Sequence, residues 1–186
     1  MNISKQVLLL QGPVGPFFDR LHSRLLENQV NCTRILFNAG DKLFCQNKQS
    51  ALSFEGNLEE WGTWFKKYLK NNGPSVVILF GSDRPIHSIA REVCKEHEIL
   101  VYCLEEGYFR PGFVSLEEGA NNANSPLAGS LPHLNQGIKE VDLLSSNSKQ
   151  CLKDSFRNRC WYGFSYYTWS ELFSTDRQRK LFHKHL

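Results

Sequence analysis

Short apolar runs alternate along the chain with segments whose apolar residues recur three and four positions apart. Gln6-Val7-Leu8-Leu9-Leu10 is continuous and apolar and stops at Gln11-Gly12-Pro13-Val14-Gly15-Pro16, the pattern of a strand buried on both faces and followed by a loop. Phe17, Leu21, Leu25 and Leu26 then share one face of a predicted helix whose other face carries Asp19, Arg20, Arg24 and Glu27. Val30 to Phe37 predicts a second strand, with Asn38-Ala39-Gly40-Asp41 as its loop. Leu58, Trp61, Phe65, Tyr68 and Leu69 predict a helix over 58–69, with Asn57 as N-cap and Glu59 and Glu60 in the first turn. Asn71-Asn72-Gly73-Pro74 ends it. Ser75 to Phe80 is the clearest strand, and Gly81-Ser82-Asp83-Arg84-Pro85 leads from it into a helix from about Ile86 to His97. Leu100 to Leu104 is the next strand, and the turn Glu105-Glu106-Gly107 follows.

Strands and helices alternating at this spacing specify an α/β fold of the Rossmann-like class, with a mostly parallel sheet and right-handed crossovers. Beyond Gly119 the texture changes: Asn121 to Pro126 reads as loop and Ser145-Ser146-Asn147-Ser148 as a linker. The expected organisation is an α/β domain over 1–130 and a linker with a helical, aromatic-rich tail over 131–186.

Composition is that of an ordinary globular chain, 41% hydrophobic and 22% charged. No apolar run approaches the roughly 20 residues that cross a bilayer, and the N-terminus lacks a signal-peptide cleavage pattern, which together place the chain in the cytoplasm. The six cysteines form no Cys-x-x-Cys pair and read as reduced, mostly buried thiols. Charge is unevenly distributed, with eight Lys/Arg against three Asp/Glu over residues 149–186 and a slight acidic excess before them. That basic segment is also rich in rings. Two helices burying the rings against a domain is the favoured reading, ahead of a membrane-interface segment or a nucleic-acid binder.

In an open parallel sheet, ligands bind beyond the carboxyl ends of the strands, so the four post-strand loops are the places for chemistry. Gly12 and Gly15 precede a helix, but the Gly-x-Gly-x-x-Gly and Walker spacings are both absent and two prolines remove N–H donors. Glu105-Glu106 reads equally as a solvated strand end paired with Arg110 or Arg84, or as carboxylates tuned by mutual repulsion and a neighbouring arginine. Asp83 suits an N-cap and Pro85 the first helical position, while His87, one turn on, reads first as a hydrogen-bonded structural histidine. No His/Asp/Glu spacing makes a metal site, and no cofactor is expected.

Together, Gln-Gly-Pro-x-Gly-Pro-Phe-Phe (11–18), Phe-Asn-Ala-Gly-Asp (37–41), Phe-Gly-Ser-Asp-Arg-Pro-Ile-His (80–87) and Glu-Glu-Gly-Tyr-Phe-Arg-Pro (105–111) resemble one family. It is the capsule polysaccharide synthesis and export proteins of Gram-negative bacteria, of the KpsS/LipB type. The resemblance implies the N-terminal domain of a GT-B-like glycosyltransferase that moves Kdo, with retention, from CMP-Kdo to a phosphatidylglycerol-type lipid. It implies work at the inner face of the inner membrane beside other capsule assembly proteins; no nucleic-acid partner is expected, because the acidic main domain would repel a phosphate backbone. By position in the motif Glu106 is the nucleophile, with Asp83 or His87 handling the acceptor proton and Arg84 or Arg110 holding the Kdo carboxylate. Gln11, Gly12, Asn38, Asp41, Glu105 and Gly107 complete the expected substrate-binding set. The family's second-domain His-Pro motif is absent, which implies an amino half with negligible transfer by itself. The alternative is a non-catalytic assembly or export component that binds lipid-linked sugar.

Overall fold

The computed structural model describes residues 6–106, 114–126 and 156–181. Six strands form one sheet in the order β3-β2-β1-β4-β5-β6: β1 (Gln6–Leu9), β2 (Asn31–Leu36), β3 (Ala51–Ser53), β4 (Val76–Phe80), β5 (Leu100–Glu106) and β6 (Val114–Glu118). The first five are parallel, and β6 pairs antiparallel with β5 at the edge. The expected α/β class is the one observed.

Alternation along β1 divides the core. Leu8 and Leu10 face α3 (Leu58–Asn72) and α4 (Pro85–Glu96) with Trp61, Phe65 and Ala90, whereas Val7 and Leu9 face α1 (Phe17–Glu27) and Phe18. Trp61 is fully buried, lies 5.0 Å edge-on from both Phe37 and Phe54, and donates its indole N–H to Ile86 O. A capping box starts α3, since Asn57 Oδ1 accepts from Glu60 N and Glu60 Oε2 accepts from Asn57 N, each at 2.9 Å. Asn57→Ala is expected to lower stability by about 1 kcal/mol, read as a shift of the urea midpoint at unchanged slope.

Four local expectations are corrected. Residues 38–41 are not a plain loop: Asn38 caps a short helix, α2 (Ala39–Leu43), by accepting from Asp41 N at 2.7 Å. Asp83 is not the N-cap of α4; that position is Arg84, and the Asp83 carboxylate instead accepts from Ser82 Oγ and Asn124 Nδ2. Glu105 and Glu106 are not in a turn, because pairing with Ser115 and Val114 carries β5 through both.

The tail corrects the fourth. Its helix α5 (Phe156–Phe173) packs on α2, and α6 (Asp176–Lys180) follows it, with Gln178 Nε2 donating to Phe54 O and Leu181 entering the main core. Among the rings of α5, Tyr166 is buried, whereas Phe156, Trp161, Phe164, Tyr167, Trp169 and Phe173 are exposed. The expected boundary near 130 and the linker lie outside the described residues. Cys32, Cys45, Cys94 and Cys103 are buried free thiols and Cys160 is an exposed one. No helix among the described residues is long and apolar enough to cross a membrane.

Candidate functional site

Because α1 leaves β1 towards one face of the sheet and α4 leaves β4 towards the other, a crevice opens between the two connections at the carboxyl edge. Arg84 bridges it. Its Nη1 donates to Gln11 Oε1 at 3.0 Å and to Gly12 O at 3.1 Å. Gly12 is required by packing, since a Cβ there would lie 2.4 Å from the Phe18 ring. Gly81, at φ +77°, lets β4 turn sharply into the Asp83-Arg84 loop.

Beside this bridge is a pocket of about 390 Å³ lined by Gly81, Ser82, Asp83, Arg84, Glu105 and Asn122 among others. Arg84 Nε and Glu105 Oε2 flank one point over Gly81, at 3.8 and 3.6 Å from where a Cβ would stand. Asn121 fixes the pocket wall, accepting from Ser82 N at 3.1 Å and donating to Leu104 O at 3.2 Å. A larger hollow of about 620 Å³ between α3 and α4 is lined by Leu58, Gly62 and Ile89 and collects none of the strand-end loops. The smaller pocket has the chemistry.

The pleat separates the two glutamates. Cys103 packs with the α3/α4 core and Leu104 with the α1 core, so Glu105 follows the first face into the pocket and Glu106 the second. Glu106 is the more exposed of the two, and its N–H donates to Glu105 Oε1 at 3.2 Å. Gly107 and Arg110 lie outside the described residues.

Asn38 and Asp41 are placed differently, under α5. Tyr166 Oη accepts from Asn38 Nδ2 at 2.7 Å and donates to Asp41 Oδ1 at 3.2 Å, while Asp41 Oδ2 accepts from Phe37 N at 3.0 Å. Gln11 Nε2 reaches both Asp41 and Tyr166, so the cluster is contiguous with Arg84. Burial raises the Asp41 carboxyl above the usual range against the pull of Arg34, and burial and then Asp41 hold the Tyr166 phenol well above its own. Sequence reasoning missed Tyr166 because its partners are more than a hundred residues away.

His87 is fully buried beneath the pocket floor. Its Nδ1 lies 2.6 Å from Gly81 O, and burial, with Arg84 adding to it, lowers its pKa to about 3. It is a neutral imidazole holding the Gly81 carbonyl. The structure thus brings Gln11, Gly12, Asp83, Arg84 and Glu105 to one place, leaves Glu106 exposed at the end of β5 on the opposite face of the strand, and puts Asn38, Asp41 and His87 in supporting layers.

A family profile described as "Capsule polysaccharide biosynthesis protein" matches residues 75–176. The chain belongs to this family. The matched stretch runs from the start of β4 through α5, so the Asp83-Arg84 loop, both glutamates and Tyr166 lie inside it. Among relatives, the chain is 38% identical over 128 residues to the capsule polysaccharide modification protein LipB of Neisseria meningitidis serogroup A, covering 68% of this chain and 30% of that protein. It is 32% identical over 163 residues to the capsule polysaccharide export protein KpsS of Escherichia coli, covering 88% of this chain and 41% of that protein. The chain therefore spans less than half the length of these relatives. A solved UDP-glucose 4-epimerase from Thermotoga maritima, with UDP-glucose, matches half of the chain at 15% identity and a TM-score of 0.41. Membership of this family places the chain in capsule polysaccharide biosynthesis.

Proposed function

We propose that this chain supplies the acidic side of a retaining transfer of Kdo from CMP-Kdo to a phosphatidylglycerol-type lipid, at the inner face of the inner membrane. The observation that carries the reading is the carboxyl-edge pocket with Arg84 and Glu105 in its lining and Glu106 next to Glu105 at the exposed end of β5. A Glu106 oxygen attacks the anomeric carbon as the bond to CMP breaks, and CMP leaves with the electron pair. The acceptor hydroxyl, giving its proton to Asp83, then displaces Glu106 from the opposite side, and two inversions give retention. Arg84 is already fixed through Nη1, which leaves Nε and Nη2 as the donors for the sugar carboxylate. Glu105 then borders the sugar, and Gln11 and Gly12 hold Arg84 in place. The nucleotide moiety belongs to the His-Pro-bearing half that the longer relatives would supply.

The test is turnover of CMP-Kdo by the chain joined to that second half from a relative, followed by mass spectrometry of the trapped enzyme. A sugar adduct is expected on the Glu106 peptide, and Glu106→Gln is expected to abolish both adduct and CMP release. An adduct on Glu105, or undiminished turnover by Glu106→Gln, removes the nucleophile assignment. Lipid-linked sugar binding with no CMP release at all would favour the non-catalytic assembly role.

A further inference from the structure

Docking of α5 needs the ring of Tyr166 but not its hydroxyl. The ring lies 6.5 Å from that of Phe44 with the planes nearly parallel, and it sits so close to Gly40 that a Cβ there would stand 2.6 Å from it. Ser170 and, just beyond the helix, Ser174 tie the same side of α5 to α2 by accepting from Gly40 N at 3.1 Å and Ala39 N at 3.0 Å. A phenylalanine would keep the packing and both serine contacts. The hydroxyl has other partners: it accepts from Asn38 Nδ2 at 2.7 Å and Gln11 Nε2 at 3.3 Å, and donates to Asp41 Oδ1 at 3.2 Å.

Gln11 is buried between groups with opposite demands. The Arg84 guanidinium only donates, and Asp41 Oδ2 already accepts from Phe37 N, so the amide satisfies both sides in one orientation, its oxygen on Arg84 Nη1 and its nitrogen on Asp41 Oδ2 and Tyr166 Oη. Turned over, it would set N–H against N–H at Arg84 and oxygen against oxygen at Asp41. The contact to Asp41 is long, 3.4 Å, so the phenol at 3.3 Å has an equal share in holding the nitrogen. At the other end, Gln11 Oε1 and Gly12 O both accept from Arg84 Nη1, at 3.0 and 3.1 Å. Gly12 O alone fixes one point of the guanidinium. With the Gln11 oxygen as second acceptor on the same nitrogen, the plane of the rigid fork is set, and Nε is held on the Gly81 side of the pocket.

We infer that Tyr166 is a positioning residue of the pocket: through Gln11 its hydroxyl sets the plane of the Arg84 guanidinium, so that the docked α5 holds the carboxylate-binding donors in place. The tail is then a working part of the site without touching what binds there. Use of Arg84 for the Kdo carboxylate rests on the transfer reading above; the path from Tyr166 through Gln11 to Arg84 does not, so the two fail separately.

The test observes Arg84 directly in the heteronuclear NMR spectrum of the full chain, its Nε–H resonance being assigned by loss in Arg84→Lys. Tyr166→Phe is expected to shift that resonance and to speed its exchange with solvent at least about threefold, and Gln11→Met is expected to do the same. In the Gln11→Met background, Tyr166→Phe is expected to change nothing further at Arg84. An Arg84 resonance unaltered by Tyr166→Phe overturns the inference. So does an effect that persists undiminished in the Gln11→Met background, which would mean that Tyr166 acts on Arg84 only by keeping α5 in place. In the chain joined to the second half of a relative, Tyr166→Phe is expected to raise KM for CMP-Kdo about three- to tenfold with a smaller change in kcat. Absence of turnover by the parent removes the transfer reading and leaves the NMR result to decide the path, whereas turnover with KM unchanged in Tyr166→Phe overturns the part that Tyr166 plays in carboxylate binding.

Discussion

Asp41→Ala is expected to lower the unfolding free energy by about 3–5 kcal/mol, several times the effect of losing an exposed hydrogen bond. Asp41 is buried and accepts from Phe37 N, Gln11 Nε2 and Tyr166 Oη, so truncation to a methyl orphans donors in a place water does not reach. Each buried unsatisfied donor costs about 1–3 kcal/mol, and the partial bond between Gln11 and Tyr166 recovers some of the loss. Asp41→Asn is expected to cost distinctly less, because its remaining oxygen still accepts from Phe37 N or Tyr166 Oη. Urea unfolding ranks the two variants, and amide exchange locates the damage: α5 is expected to lose protection before the sheet does, since Tyr166 is its buried anchor. A loss no larger for Ala than for Asn would mean that the carboxylate is not the hub of this cluster.

The same hub connects the tail to the pocket. Gln11 touches Asp41 and Tyr166 with its amide nitrogen and Arg84 with its oxygen, so an orientation imposed on Gln11 by α5 is passed to the guanidinium proposed to hold the sugar carboxylate. Asn38 and Asp41, expected in the substrate-binding set, make their hydrogen bonds to Tyr166 and Gln11 beneath α5, and Gln11 in turn meets Arg84. A polar loop at a strand end has both uses open to it, and which one applies depends on whether another segment covers it. Here a helix from the far end of the chain does.

That dependence explains what could be read from the sequence. The strands at 6–9, 76–80 and 100–104 are continuous apolar runs between loop signals, and α1, α3 and α4 carry apolar residues at helical spacing, so local pattern alone identifies them. The three-residue β3 and the edge strand β6, with its burial alternating between half-covered and exposed, exist through pairing with a neighbour. The extension of β5 over Glu105 and Glu106 follows from β6, and only that extension sends the two carboxylates to opposite faces. In α5 the apolar residues are spread so evenly around the helix that no face is marked, and the burial of Tyr166 in place of Trp161 rests on Asn38 and Asp41 waiting beneath it. The loops that line the pocket were legible because Gly, Pro and charged residues follow directly on buried strands.

His87 gives the pH dependence its sign. In the folded chain the imidazole is enclosed, with Nδ1–H donating to Gly81 O and Nε2 without a partner, and it takes up a proton only near pH 3. In the unfolded chain it does so near the ordinary histidine value of 6.5. Between these two values the unfolded state binds more protons, so the stabilisation is complete above pH 6.5 and is lost as pH falls towards 3, at about 1.4 kcal/mol per pH unit and up to about 5 kcal/mol in all. His22, also lowered by burial, adds in the same direction; Asp41, raised by burial, opposes it, because its folded form holds a proton that the unfolded form has released. His87→Asn retains a donor for Gly81 O but cannot titrate. The variant is therefore expected to be less stable than the parent at pH 7, through lost packing, and to have a shallower decline on acidification, so that the two curves of unfolding free energy against pH converge below pH 6 or cross. Parallel curves would mean that protonation of His87 is not what the folded state resists. Because the Gly81 carbonyl that His87 holds belongs to the turn at which β4 enters the pocket, acid that charges the imidazole acts on the Asp83-Arg84 loop as well as on the core.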